Sequence, residues 1–338
     1  MEVLAIVGPT GSGKSDLALD LAESIGGSAQ FGTRECEVIN ADAFSLYRQM
    51  DIGTAKVLPG ERRGIPHHLI DVMDPLESAT IAQYQEWGRL AISEVLGRGN
   101  LPIVVGGSGL YVRALLDGFD LPGTDPATRE VLNLQLEQLG VSAMFAKLQS
   151  VDPAAAAVIG AKNARRIVRA LEVIQLTGKP YVANLPEPVY RYDTVTIGLD
   201  FNREQLDNRI TQRVAKMRTL GLLDEVRGIA SPDQGGIGPG LGPTAVRAVG
   251  YYELLPVLLG AVPADAAFEQ VAIHTRQLTR KQMGWFGRDP RIKWLDGADL
   301  NLLKNALNYL KTPDNRIHST SLRTPLGSIA SRHSAASP

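Results

Sequence analysis

Eight residues near the N-terminus, Gly8-Pro9-Thr10-Gly11-Ser12-Gly13-Lys14-Ser15, fit the spacing G-x-x-x-x-G-K-[ST] without a gap. Glycines at Gly8, Gly11 and Gly13 let backbone N–H groups turn inward around phosphate oxygens, and a helix starting there adds positive potential. Lys14 would reach the terminal phosphate as a point charge, and the Ser15 hydroxyl would ligate Mg²⁺. The pattern predicts phosphate binding. It does not by itself predict hydrolysis of ATP or GTP.

Asp42 follows a short apolar run, Val38-Ile39, read as a strand. Carboxyl ends of strands line the ligand crevice in a parallel α/β sheet, so Asp42 faces the glycine loop. There it could act as general base, hold a metal, or serve only as a turn residue. Ser108 ends the strand Ile103–Val105 and reaches the same rim by the same reasoning, or is a plain turn residue. A nucleotide hydrolase would show an apolar strand closed by an aspartate. Ile103–Val105 closes in glycines instead, and His68-Leu69-Ile70-Asp71 is the nearest substitute. The pair His67-His68 lacks zinc-ligand spacing and has no cysteine support, so both read as core or turn residues.

The elements that must carry these groups alternate. Val3–Val7 is a buried strand, and Leu17, Leu21 and Ile25 repeat at helical spacing behind the loop. A helix from Ile81 through Val95 precedes the strand Ile103–Val105. The class is α/β: a P-loop NTPase-like parallel sheet core with helices on both faces and a helical insertion. The core's first part spans 1–122 and the insertion 123–193. A mainly helical core continuation covers 194–310, with Arg203–Val226 as one long helix and further helices at Thr244–Leu259 and Phe268–Trp285. Gly235–Gly242, with five glycines, reads as a flexible loop. Ser, Thr, Arg and Pro dominate 311–338, which reads as a disordered tail.

With 44% hydrophobic and 21% charged residues, the 338-residue chain can bury a large core. A formal net charge of −1 argues against a uniformly basic nucleic-acid binder. The single cysteine, Cys36, reads as a small core residue in a reducing compartment. With no signal-peptide pattern and no stretch near the ~20 apolar residues of a membrane span, a soluble cytoplasmic protein is expected. Three basic helical faces stand out: Arg209, Arg213 and Lys216; Lys162, Arg166 and Arg169 with Arg165 adjacent; and Arg276 and Arg280, with Lys281 and Arg288 beyond. Each could be a solvated surface, but together they suit phosphate oxygens of a nucleic acid.

From Val3 to Trp294 the chain resembles the tRNA dimethylallyltransferases of bacterial type. The resemblance rests on the glycine loop, on Ile39–Asp42 and Tyr47–Lys56, on Pro66–Pro75, on Val104–Tyr111, on Asn163–Val173 with Thr177-Gly178, on Val249–Tyr251, and on Arg280–Phe286. It implies transfer of a dimethylallyl group from dimethylallyl diphosphate to N6 of the adenosine 3′-adjacent to the anticodon. The adenosine would be flipped out, since its amine is unreachable within a stack. The glycine loop then holds a leaving diphosphate, which accounts for the missing strand-end aspartate.

By the same resemblance, Asp42 takes the amine proton. Lys14, Ser15, Mg²⁺ and Arg213 offset charge on the leaving group, and Thr10 and Ser12 hydrogen-bond the diphosphate. Ser108, also assigned to catalysis, stands where threonine is usual. The anticodon stem-loop would contact Asp42, Ala43, Phe44, Ser45, Ser108, Arg129, Arg165, Arg166, Arg169, Arg247, Arg280, Lys281 and Gln282. A monomer is implied. Departures include a long 26–37 loop, the Ala43–Leu46 sequence, and Gly287 where a basic residue is common. A small-molecule kinase, a prenyltransferase acting on free adenylate, and a non-catalytic RNA binder are the competing readings.

Overall fold

The computed structural model describes residues 1–183 and 185–312. The expected tail therefore falls largely outside the described residues, although Lys311 closes a helix.

Val3–Val7 forms β1, and all five residues are fully buried. A parallel strand covered on both faces requires such an unbroken apolar run. Around it lie β2 (Cys36–Asn40), β3 (His67–His68), β4 (Leu101–Gly106), β5 (Thr194–Asp200) and β6 (Ile292–Asp296). The sheet order is β3-β2-β4-β1-β5-β6, and every pairing is parallel. The expected α/β parallel sheet is present, longer by its two edge strands, which the sequence reading did not separate out.

Alternation along β1 divides the core. Leu4 and Ile6 meet α1 (Lys14–Ile25) and α11 (Leu302–Lys311) on one face. Val3, Ala5 and Val7 belong to the larger cluster on the other face. That cluster draws on α2 (Ile81–Gly97), α3 (Gly109–Leu116), α7 (Arg203–Thr219), α8 (Leu222–Ile229), α9 (Tyr251–Leu258) and α10 (Ala264–Phe286). Cys36 is buried beside α1, as expected of a small core residue. No described helix is long and apolar enough to cross a membrane.

Between β4 and β5, the helices α4 (Pro126–Val151), α5 (Pro153–Ile159) and α6 (Ala164–Thr177) bury a cluster of their own around Leu132, Leu148, Ile167 and Leu171. Each helix starts on a side-chain cap: Asp125 accepts from Thr128 N–H, Asp152 from Ala155 and Asn163 from Arg166. Glu172 of α6 is fully buried and accepts from Arg129 and Arg169.

Three readings are corrected. Arg203–Val226 is an elbow rather than one helix, because Gly221 (φ 91°) takes the left-handed conformation between α7 and α8. Thr244–Leu259 is a short turn followed by α9, interrupted at Gly250 (φ 101°). Gly235–Gly242 is closely packed rather than flexible. Its N–H groups at Ile237, Gly238 and Gly240 bond the carbonyls of Arg227, Ala230 and Ile229 at the end of α8. A Cβ at Gly238 would lie 2.1 Å from Gly228 O, so these glycines serve close approach.

His67 and His68 sit in the edge strand β3. His68 Nε2 bonds Glu37 at 2.7 Å, and Glu37 also accepts from Arg98 (2.7 Å) and Asn100 (2.8 Å). Burial raises the Glu37 pKa, but the bonds from Arg98, Asn100 and His68 outweigh it and hold the carboxyl at about 2. A depressed folded-state pKa stabilises above the unfolded value and is lost as pH falls. Glu37→Gln is expected to cost on the order of 3 kcal/mol near pH 7. The gap from wild type should close as denaturation midpoints are followed from pH 4.5 down toward 2.

Candidate active site

Register aligns the strand ends. Val7 pairs with Gly106, and Asn40 with Val105, so the segments leaving β1, β2 and β4 emerge together. The pairing runs one residue further, with Ala41 N–H donating to Val105 O at 2.7 Å. A Cβ at Gly106 would lie 2.1 Å from Ala41 O, so only glycine permits this approach. Asp42 is thereby delivered beside the glycine loop.

Gly8 (φ 143°), Gly11 (φ 79°) and Gly13 (φ 81°) all have positive φ, as a loop that turns its N–H groups inward requires. Lys14 Nζ folds across this loop and donates to Pro9 O at 2.7 Å. The Ser12 hydroxyl is buried and has no hydrogen-bond partner among the described residues. Two distant helices brace the loop. Gln282 of α10 accepts the Thr10 N–H at 2.8 Å, and Arg209 of α7 donates to Gly11 O at 2.7 Å. Arg209 also stacks on Phe201, 4.9 Å from the ring centre.

The loop opens into a cleft of about 920 Å³. Thr10, Gly13, Lys14, Ser15, Asp42 and Gly107 line it, facing Arg209, Arg213, Lys216 and the segment 51–58. Arg209, Arg213 and Lys216 each precede a buried residue of α7 (Ile210, Val214 and Met217) by one position. Arg213 is half-buried while Arg209 and Lys216 are exposed, and all three reach the cleft.

Asp42 has one oxygen committed. Oδ1 accepts the N–H groups of Phe44 (2.9 Å) and Ser45 (3.4 Å), while Oδ2 makes no hydrogen bond among the described residues. Asn40 fixes the turn from below, bonding both the Asp42 N–H and its carbonyl. Burial lowers the Lys14 pKa to about 7, with Arg213 adding to the shift and Asp42 opposing it. Burial also lowers the Arg213 pKa, again opposed by Asp42. Crowded cations beside a single carboxylate make a strong site for an anion richer in charge than one carboxylate.

No group of three or more His, Cys, Asp or Glu side chains among the described residues could hold a metal. Ser15 is exposed at the start of α1, and with Asp42 Oδ2 it is an oxygen donor of the type Mg²⁺ takes. Asp71, considered as a strand-end aspartate, is turned away to pair with Lys56 at 2.6 Å. Ser108 is the residue before α3, its hydroxyl making no capping bond, and it lies one position past the cleft-lining Gly107.

The residues expected to grip RNA fall into different settings. Ala43, Phe44 and Ser45 form the turn closed by Asp42. Arg165, Arg247, Arg280 and Lys281 are exposed. Arg166 donates to Ala183 O, while Arg169 holds Pro122 O (2.6 Å), Gly123 O (3.0 Å) and Glu172. Arg129 shares Glu172. Gln282 is buried against the glycine loop, and Arg276 pairs with Asp207. Sequence reasoning missed Glu225 and Tyr251 as partners of the cleft wall. The block ending in Lys56 marked that wall, but Glu225 carries no spacing signal.

Residues 45–289 match the family model described as IPP transferase. The chain belongs to the IPP transferase family. The match begins just after Asp42 and ends beyond Gln282. Among its relatives, the tRNA dimethylallyltransferase of Kineococcus radiotolerans is 49% identical over 91% of this chain and 96% of its own length. That of Salinispora arenicola is 47% identical over 91% and 86% respectively. The crystal structure of the Bacillus halodurans tRNA isopentenylpyrophosphate transferase superposes with TM-score 0.64 at 36% identity, covering 91% of this chain and 95% of that one. A eukaryotic dimethylallyltransferase, caught acting on tRNA, gives TM-score 0.72 at 26% identity, covering 91% and 77%.

For this IPP transferase, a lysine titrating near 7 makes anion affinity pH-dependent. An incoming polyanion favours protonated Lys14, so affinity falls as pH rises above about 7. Titrating inorganic pyrophosphate by calorimetry from pH 6.5 to 9 should show wild type losing up to about tenfold per pH unit above 7 relative to Lys14→Arg, whose charge is fixed. Parallel pH profiles for the two proteins would contradict this role of Lys14.

Proposed function

We propose that this chain transfers the dimethylallyl group of dimethylallyl diphosphate to N6 of the adenosine 3′-adjacent to the anticodon in tRNA, releasing diphosphate. The observation that carries the reading is the half-free Asp42 carboxylate set beside a cation-lined loop, in a chain whose relatives are named tRNA dimethylallyltransferases. A kinase reading finds no support among the relatives, which are named tRNA dimethylallyltransferases and match 91% of this chain.

In this mechanism the glycine-loop N–H groups, Lys14 and Arg213 bind the diphosphate and take up charge as the allylic C–O bond breaks. Thr10 and Ser12 add hydrogen bonds; the unpartnered Ser12 hydroxyl supports that role. Nitrogen N6 attacks the allylic carbon, and its proton passes to Asp42 Oδ2. An exocyclic amine is a weak nucleophile, so positioning and the adjacent base both contribute. Ser15 would hold Mg²⁺, which when bound supplies further neutralisation of the diphosphate. Ser108, at the start of α3 beside the rim, would bond the flipped base.

RNA recognition falls to the exposed Arg165, Arg247, Arg280 and Lys281, with the 43–45 turn at the base itself. Arg129, Arg166 and Arg169 keep partly exposed faces toward phosphate while holding their internal partners. The segment 123–193 is then the arm that grips the anticodon stem-loop, which an enzyme acting on free adenylate would not need. The same reading has the enzyme work as a monomer in the cytoplasm.

Labelled dimethylallyl diphosphate offered with an anticodon stem-loop, AMP and ATP tests the acceptor: label should appear on the RNA alone. Asp42→Asn keeps the Oδ1 bonds of the turn and removes the base. Its kcat should fall about 10²–10³-fold with pyrophosphate affinity retained. Turnover within about threefold of wild type would remove Asp42 from proton transfer.

A further inference from the structure

The cleft wall opposite the glycine loop is segment 51–56, and its conformation is costly. Ala55 (φ 47°) and the nearby Gln49 (φ 67°) are non-glycine residues in the left-handed region. Such backbones persist only where their surroundings over-determine them. One end of the segment is fixed by the buried Lys56, which reaches Tyr47 O at 2.8 Å and the carboxylates of Asp51 and Asp71.

The other end is held by a residue from a distant helix. Glu225 of α8 accepts the N–H groups of Asp51 (3.0 Å), Ile52 (2.8 Å) and Gly53 (3.1 Å), and also the Tyr251 hydroxyl. A carboxylate drawing three successive amides into one concavity fixes their peptide planes together. Gly53 has no alternative, since a Cβ there would lie 2.3 Å from the Tyr251 ring. Burial, reinforced by the Glu225 charge, keeps the Tyr251 phenol well above its usual pKa, so it remains a donor.

The next carbonyl along, Thr54 O, accepts from Arg213 Nη2 at 3.3 Å. Arg213 is thereby aimed by a neutral oxygen and keeps its charge for an anion. The wall carboxylates Asp51 and Asp71 are both occupied by Lys56. We propose that Glu225 is a positioning residue for leaving-group binding: through the 51–53 amides and Thr54 it sets the Arg213 guanidinium over the cleft.

This rests on the diphosphate reading of the cleft, and the experiment separates the two. Calorimetry with inorganic pyrophosphate and steady-state prenyl transfer are run on the full chain. Glu225→Gln should weaken pyrophosphate and raise KM for dimethylallyl diphosphate about tenfold, with KM for the stem-loop within about twofold. Tyr251→Phe, which removes one bond and leaves Glu225 in place, should give a smaller shift of the same kind. It also serves should Glu225→Gln fail to fold. In an Arg213→Ala background, Glu225→Gln should add less than about twofold, because the residue acts through Arg213. Additive losses, or equal losses for pyrophosphate and RNA, would overturn the positioning role. Unchanged pyrophosphate affinity in Lys14→Ala would overturn the diphosphate reading itself.

Discussion

The ladder joining β1 to β4 and β2 to β4 governs the chemistry, because it decides which strand ends coincide. Val7 opposite Gly106 and Asn40 opposite Val105 place three exits at one rim. Parallel pairing guarantees that all three are carboxyl ends, where the backbone is free to depart into loops. A slip of one residue would reverse the faces of β1 and carry Asp42 away from Lys14. Gly106 is the tightest point of the arrangement, since Ala41 passes too close for any side chain.

Cations in the cleft and in the insertion are put to two different uses. Lys56 is enclosed by two carboxylates and a carbonyl, and Arg129 and Arg169 converge on the buried Glu172. These stabilise structure, because a buried charge is tolerable only with its partners in place. Lys14, Arg209 and Arg213 instead bond neutral carbonyls, at Pro9, Gly11 and Thr54. Neutral acceptors orient a cation and leave its field available. The contrast separates scaffold from site more clearly than exposure does, since Arg169 and Arg213 are both half-buried, yet Arg169 bonds a carboxylate and Arg213 a carbonyl.

Much of this was legible in the sequence. The glycine loop, Asp42 and the insertion announce themselves through local spacing and composition, and the structure brings Lys14, Asp42 and Arg213 into one cleft. Less legible were features set by contacts far along the chain. The α7–α8 elbow depends on one left-handed glycine, Gly221, within an otherwise helical pattern. The glycines of 235–242 look like slack, yet they are selected by the carbonyls of α8 pressed against them. Gln282 reads as one polar residue in a basic helix, and only the tertiary fold reveals its bond to Thr10. The two-residue strand β3 is too short for any periodicity to show.

The braces of the cleft also bear on how the protein is made. Thr10 and Gln282 lie 272 residues apart, Gly11 and Arg209 are 198 apart, and Asp51 and Glu225 are 174 apart. Contacts of such separation form late, after the loop-closure cost of the intervening chain has been met. A nascent or truncated chain thus carries the whole glycine motif while lacking the residues that shape it. Synthesis of α10 completes the pocket, and an interrupted polypeptide has a signature of phosphate binding with no assembled site behind it.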